Sequence, residues 1–316
     1  MSRRTSRRPL ALAGAALAVA VTAALVPAAP AHAASVNQTG YVTNVYDGDT
    51  IAVDIAGDGT STPVHIRLAG IQAMEMTKYS SDPALQRGEC HAVPATRRLT
   101  QLALHKKVRV TARDSSSKSG SRLRRVVWVY VDGAWRDVAQ IMLREGHGLF
   151  LVNRVEYATN RGVEYAAQVA ASRRYGMWDT DFCGSGPYQA AALRLAVQWD
   201  AAGNDATNVN GEWFRIANDS SYAVPIGGWW VRDSAYRGTL ARGYTFPSWA
   251  KIPARGSVTV HVGKGTSSGT RFYMGESAPI FENTTSSPTY IGDGGYLFDP
   301  QGDLRAWRMY PCRYAC

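Results

Sequence analysis

The sequence predicts two architectures in series: a mixed α+β domain built on a small five-stranded barrel with three helices, then an all-β sandwich. Three observations lead there. Apolar residues alternate with period two on either side of an Asp-Gly turn between residues 47 and 75. Helix-compatible stretches closed by glycine recur as far as Cys183. Beyond Cys183-Gly184-Ser185-Gly186-Pro187, short apolar runs alternate with Gly, Pro, Asn and Asp turns.

Residues 1–33 read as an export address. Arg3, Arg4, Arg7 and Arg8 precede an apolar run from Leu10 to about Val26, and Ala31-His32-Ala33 is an A-x-A cleavage site. Cleavage after Ala33 leaves a secreted chain beginning at Ala34. Ser6-Arg7-Arg8 leaves the twin-arginine and general secretory routes both open. No later stretch is apolar enough to span a membrane, so no span is expected once the signal is removed. The 283 residues that follow exceed one typical domain. Their expected division is 35–183, a linker at 184–192, and 193–312.

In the first domain, Ile51, Val53 and Ile55 alternate ahead of the turn Gly57-Asp58-Gly59, and Val64, Ile66 and Leu68 alternate after it. This predicts a β-hairpin whose two ends lie together. Further strands are predicted at 107–113 and 124–131, the latter ended by Asp132-Gly133. Helices are predicted around 93–104, with Pro94 in the first turn, and over 135–145 and 155–175, ended by Gly146 and Gly176. Five strands with three packed helices fit an OB-type barrel.

The hairpin also gathers chemistry. Asp47 and Asp49 open one strand, Gln72 and Glu75 follow the other, and Arg67 lies in the second strand at opposite parity to Val64, Ile66 and Leu68. A hard cation such as Ca²⁺ takes several oxygen ligands, a water needs a base, and charge growing on phosphoryl oxygens needs a fixed cation. The set therefore suits phosphodiester hydrolysis.

Asp47-Gly48-Asp49-Thr50, Ile66-Arg67-Leu68 with Gly70-Ile71, and Glu75 resemble the staphylococcal-nuclease (thermonuclease) pattern D-G-D-T … R-L-x-G-I-D-A-P-E. The resemblance covers about half of the chain after the signal, and Tyr175-Gly176-Met177-Trp178 resembles that family's closing G-L-W. It implies an OB-fold and cleavage of DNA and RNA at the 5′ P–O bond. It implies Glu75 as the residue that orients or deprotonates water and Arg67 as a phosphate grip. The second catalytic arginine falls on Arg124 by counting back from Asp132-Gly133, with Arg122 at the same parity and Arg125 adjacent. The implied Ca²⁺ ligands are Asp49, Gln72 and the Ala73 carbonyl, with Asp47 near or on the ion. Two departures stand out: Gln72 replaces the family's aspartate and Met74 its proline. A neutral amide in place of a carboxylate predicts weaker calcium binding.

The formal charge is +10, and the excess is uneven: between Arg97 and Arg125 ten Lys or Arg meet one acid, Asp114. This predicts a polyanion-binding surface, with DNA or RNA as partner and Lys106, Lys107, Arg109, Arg122 and Arg125 as contacts. Four cysteines in an exported chain predict two disulfides, Cys90–Cys183 and Cys312–Cys316, one per domain among three possible connectivities. Metal binding by the cysteines is a poor rival, because the spacings are not C-x-x-C and the six histidines are scattered.

In the second domain, residues 211–216, 226–233, 244–247, 252–260 and 294–299 resemble the lamin-tail domain, through a G-W-x-x-x-D element and a P-x-x-x-x-V-T-V strand. This implies an immunoglobulin-like fold with an accessory role. Tryptophans 199, 213, 229, 230, 249 and 307 read as core and strand-face packing rather than as stacking platforms. The function expected is a secreted Ca²⁺-dependent nuclease. The alternatives are a catalytically impaired nucleic-acid-binding module, or an envelope adhesion protein whose sandwich contacts a cell-envelope component.

Overall fold

A computed structural model describes residues 34–316 except 79, 81, 185, 236–242, 283–291 and 315. The expected signal segment, 1–33, lies outside the described residues. The first region begins with β1 (Val36–Val45), β2 (Thr50–Ile55), β3 (Val64–Leu68) and β4 (Ile71–Gln72). There follow β5 (Met76–Lys78), β6 (Arg87–Gly88), α1 (Ala92–Ala103), β7 (Lys107–Ala112) and β8 (Lys118–Ser119). It ends with β9 (Arg122–Val131), β10 (Ala134–Asp137), α2 (Val138–Arg144), β11 (Leu149–Phe150) and α3 (Asn160–Ser172).

Five of these strands close on themselves in the order β1-β2-β3-β9-β7 and back to β1, with only the β3–β9 pairing parallel. Closure leaves the barrel no open edge. The expected hairpin is β2–β3, in register Ile51↔Ile66 and Val53↔Val64, and its turn uses Gly57 and Gly59 at φ of 81° and 82°. Alternate residues fill the barrel: Ile51, Val53, Ile66, Leu68, Val108, Val110, Val127 and Val129 are all buried. The apolar faces of the three helices, with Leu99, Met142 and Val163 among them, complete the same core.

The helix expected over 135–145 starts later because residues 134–137 instead pair as β10 with β9. Asp137 then caps α2 by accepting the Ala139 amide at 2.9 Å. The helix expected over 155–175 is α3, preceded by a 3₁₀ turn at Tyr157–Thr159.

The second region comprises β12 (Leu193–Gln198), β13 (Trp213–Asn218), β14 (Val224–Pro225), β15 (Trp230–Asp233) and β16 (Tyr244–Thr245). It continues through β17 (Lys251–Ile252), β18 (Ser257–His261), β19 (Arg271–Tyr273), β20 (Asp293–Phe298) and β21 (Leu304–Tyr310). Two four-stranded sheets, β12-β13-β18-β19 and β16-β15-β20-β21, enclose Phe214, Ile216, Trp229, Val231, Val260 and Phe272. Among the described residues no helix is long and apolar enough to cross a membrane.

The two regions pack against each other. Trp178 is buried edge-on to Trp307 at 5.2 Å between ring centroids. On α3, Gln168 donates to the Pro311 carbonyl and accepts the Arg313 and Tyr314 amides, while Glu164 pairs with Arg313. Both expected disulfides are present, Cys90–Cys183 and Cys312–Cys316, and they fit an oxidising compartment. Cys90–Cys183 spans 93 positions of sequence, so opening it releases a long loop in the unfolded chain. Replacing both cysteines by serine is expected to cost about 2–5 kcal/mol. Thermal unfolding of the double variant checks this, and an unchanged Tm would contradict it.

Candidate active site

The site is built where β2 leaves the turn after β1. The Asp49 amide donates to Asp47 Oδ1 at 2.9 Å, an Asx turn that sets the local bend of the loop. Gly48 is required by a close approach: a Cβ there would lie 2.6 Å from the Ala73 Cβ and 2.8 Å from the Ala95 Cβ. The loop is thus pressed onto the segment after β4 and onto α1. Asp49 faces inward, where its Oδ1 accepts the Thr50 hydroxyl at 3.0 Å and its Oδ2 accepts the Ala73 amide at 2.7 Å.

Arg67 comes to this carboxylate by register. On β3 it pairs with Thr50 of β2 on one side and with Arg124 of β9 on the other. Its guanidinium forms an ion pair with Asp49, and Nη2 donates to Gln72 Oε1 at 2.6 Å. Gln72 Nε2 in turn donates to the Ala73 carbonyl at 3.3 Å and to Glu75 Oε1 at 3.2 Å. The Glu75 amide donates to Glu89 Oε2 at 3.2 Å. A continuous polar chain therefore runs Thr50, Asp49, Arg67, Gln72, Glu75.

Burial and crowding set the charges. Arg67 is 5 % exposed, and burial lowers it to about 10; Asp47 and Glu75 oppose this, while Arg122 and Arg124 add to it. Burial likewise pushes the Asp47 carboxyl up, against the pull of Arg67, of the Thr50 hydrogen bonds and of Arg122. Glu75 is exposed, and its Oε1 accepts from Gln72 Nε2. Desolvation and the charges of Asp47 and Glu89 raise it, opposed by Arg67 and Arg122. A raised carboxyl is a better base for a water proton than an ordinary one.

The structure brings Asp47, Asp49, Arg67, Gln72, Ala73 and Glu75 together, with Arg124 beside Arg67 in register. Arg122, expected on the binding surface, reaches into the site and donates through Nη1 to Thr50 Oγ1 at 2.9 Å. Arg125, expected on the same surface, is buried; it donates through Nη1 to the Ser117 and Arg124 carbonyls and through Nη2 to the Ser115 carbonyl. Its parity on β9 is that of Val127 and Val129, so it turns inward, and its guanidinium there ties down the carbonyls of the 115–117 loop. Lys106 bends back to the Gln101 carbonyl, while Lys107 and Arg109 lie in β7 opposite Tyr41 and Thr39. Glu89 was absent from the expected site; nothing in its local sequence marks it.

Asp47, Asp49, the Gln72 amide oxygen and the Ala73 carbonyl are hard oxygen donors of the kind Ca²⁺ takes. Two of them, Asp49 Oδ1 and Gln72 Oε1, face Arg67, so a cation and that guanidinium would share oxygens. Among the described residues, the His, Cys, Asp and Glu groups near enough to share one ion are Cys90, Cys183 and Asp303. There the two sulfurs are joined to each other, which removes them as ligands. A cleft of about 210 Å³ beside the site is lined by Met74, Glu89 and Cys90 on the barrel side and by Trp230, Arg232 and Phe298 on the sandwich side.

No curated protein matches the chain, and no nuclease family model matches the barrel region. The closed five-stranded barrel is compatible with an OB-fold. Residues 196–312 match the family model of the lamin tail domain, and this part of the chain is a lamin tail domain of immunoglobulin-like build.

Proposed function

We propose that the chain is a secreted, Ca²⁺-dependent nuclease of the thermonuclease type that hydrolyses phosphodiester bonds of DNA and RNA. The observation that carries this is the meeting of Asp47, Asp49 and Glu75 with Arg67, Arg122 and Arg124 where β2, β3 and β9 run side by side. A cluster with a buried base of Asp47, Asp49 and Arg67 and an open rim, holding both a raised carboxyl and several fixed cations, suits a reaction in which a proton leaves water while negative charge grows on phosphoryl oxygens. The two disulfides support export.

Asp49, Gln72 and the Ala73 carbonyl would hold Ca²⁺ with Asp47 beside them, and the ion would supply positive charge that draws in the scissile phosphate. Glu75 orients a water and accepts its proton as the water oxygen bonds to phosphorus and the 5′ oxygen leaves. Its hydrogen bond from Gln72 Nε2 holds the carboxylate in place. Arg67 and Arg124, adjacent in register, face the equatorial oxygens of the pentacoordinate transition state. Arg122, tied to Thr50, adds a third cation at the same mouth.

A binding-only reading is favoured by one contact: Arg67 engages oxygens of both Asp49 and Gln72, the residues on which calcium depends. Calorimetric titration of Ca²⁺ into wild type, Asp47→Asn, Gln72→Asp and the double variant separates the two. The nuclease reading expects tighter binding in Gln72→Asp, weaker binding in Asp47→Asn and rescue in the double variant. Four indistinguishable titrations would mean that no calcium site forms, and a nucleic-acid-binding module would replace the enzyme. The lamin tail domain would serve as an accessory contact to a cell-envelope component.

A further inference from the structure

The outer face of the barrel carries an aromatic and cationic strip that the hydrolytic site does not use. In β7 and β9 the residues Val108, Val110, Val127 and Val129 point inward and are buried, so the residues between them point out. Trp135 of β10 pairs with Tyr130 of β9, their rings meeting edge to face at 5.6 Å. The pair Val108↔Val129 sets Lys107 beside Tyr130, and Lys107 pairs with Tyr41 of β1. A single row therefore crosses four strands as Trp135, Tyr130, Lys107, Tyr41. The next row is Trp128, Arg109, Thr39. Tyr130 is 62 % exposed, Tyr41 53 % and Trp135 37 %, so the three rings present surface to solvent.

One large ring on a surface needs no explanation, but several in register with cations between them do. Cross-strand packing accounts for the Trp135–Tyr130 contact, yet not for Lys107 and Arg109 alternating with rings across the same face. Rings offer π-faces for bases, cations offer partners for phosphates, and that combination fits a single strand whose bases are unstacked. A duplex hides its base faces, and an acidic polysaccharide has none. The acids near the strip are Asp54, opposite Tyr41 on β2; Asp132, in the turn between β9 and β10; and Asp137, opposite Trp128 on β10 but buried and turned to the Ala139 amide as the cap of α2.

We propose that this face binds a single-stranded stretch of DNA or RNA, with bases stacking on Tyr130, Trp135 and Tyr41 and phosphates at Lys107 and Arg109. Arg124 shares strand parity on β9 with Trp128 and Tyr130, so a strand held here lies on the side of β9 that faces the hydrolytic site. The binding requires neither calcium nor cleavage and does not depend on the nuclease reading.

The test is a fluorescence-anisotropy titration of a fluorescein-labelled single-stranded oligothymidylate with the full protein in EDTA. Unlabelled blunt duplex of equal length and heparin serve as competitors. Tyr130→Ala and Trp135→Ala are each expected to weaken binding about ten-fold, while Tyr130→Phe and Trp135→Phe retain it. Lys107→Glu with Arg109→Glu should weaken binding and flatten its dependence on salt. Thermal unfolding of each variant distinguishes a lost contact from a lost fold, and Tyr130→Leu and Trp135→Leu, which keep apolar bulk but remove the π-face, carry the test if an alanine variant unfolds. Alanine variants that bind as tightly as wild type, or heparin and duplex competing as well as single strand, would overturn the assignment.

Discussion

Glu75→Gln is expected to lower phosphodiester cleavage by about 10² to 10⁴ while leaving the barrel folded, the range typical for loss of a general base. The substitution keeps the shape of the side chain and an oxygen for the Gln72 Nε2 donor, but removes the group that takes a proton. Glu75 lies at the open rim, so no core packing is lost. The same residue predicts a pH dependence. Desolvation, Asp47 and Glu89 raise its carboxyl above the ordinary glutamate range, so activity should fall with decreasing pH sooner than an ordinary glutamate would allow. The acid limb belongs to the protonation of Glu75 and should vanish from the residual activity of Glu75→Gln. A variant that digests at the wild-type rate would remove Glu75 from the mechanism.

Arg67 should be the most costly residue of the site to lose. Its guanidinium is buried against Asp49, itself 2 % exposed, and Arg67→Ala leaves that carboxylate buried without its cation. Breaking such a pair costs about 3–5 kcal/mol, which thermal or urea unfolding would detect. Arg67→Lys separates stability from chemistry. Lysine keeps the charge but cannot fork between Asp49 and Gln72 while presenting a planar face to phosphate. It is expected to retain more of the fold and still lose about 10² to 10³ in rate. Full activity in Arg67→Lys would mean that Arg67 is a structural pin and that Arg122 and Arg124 hold the phosphate.

What the sequence could reveal depended on whether the information was local. The β2–β3 hairpin was legible because inward residues alternate without interruption and the Gly57-Asp58-Gly59 turn is unambiguous. The first barrel strand was not, because Val36–Val45 buries only Gly40 and Val42, and its Asn, Gln and Thr residues carry no apolar period. Parity placed Arg122 and Arg124 on one side of β9, but that Arg122 is tied to Thr50, two strands away on β2, has no local signal. Arg125 was misplaced on the binding surface for a related reason. Its partners are backbone carbonyls of the 115–117 loop, and a carbonyl has no signature in sequence. The contact of Gln72 with Arg67 uses both ends of the amide: its oxygen accepts the guanidinium and its nitrogen reaches Glu75. The packing of α3 on the lamin tail domain through Gln168 and Glu164 rests on pairs more than 140 positions apart and could not be read locally.

The most direct measurement is digestion of single-stranded DNA by the protein in millimolar Ca²⁺, with a parallel reaction in excess EDTA, followed by release of acid-soluble nucleotides. The account predicts release with calcium, none with EDTA, and recovery when calcium is restored. Binding of the DNA without release in any of the three conditions would contradict it.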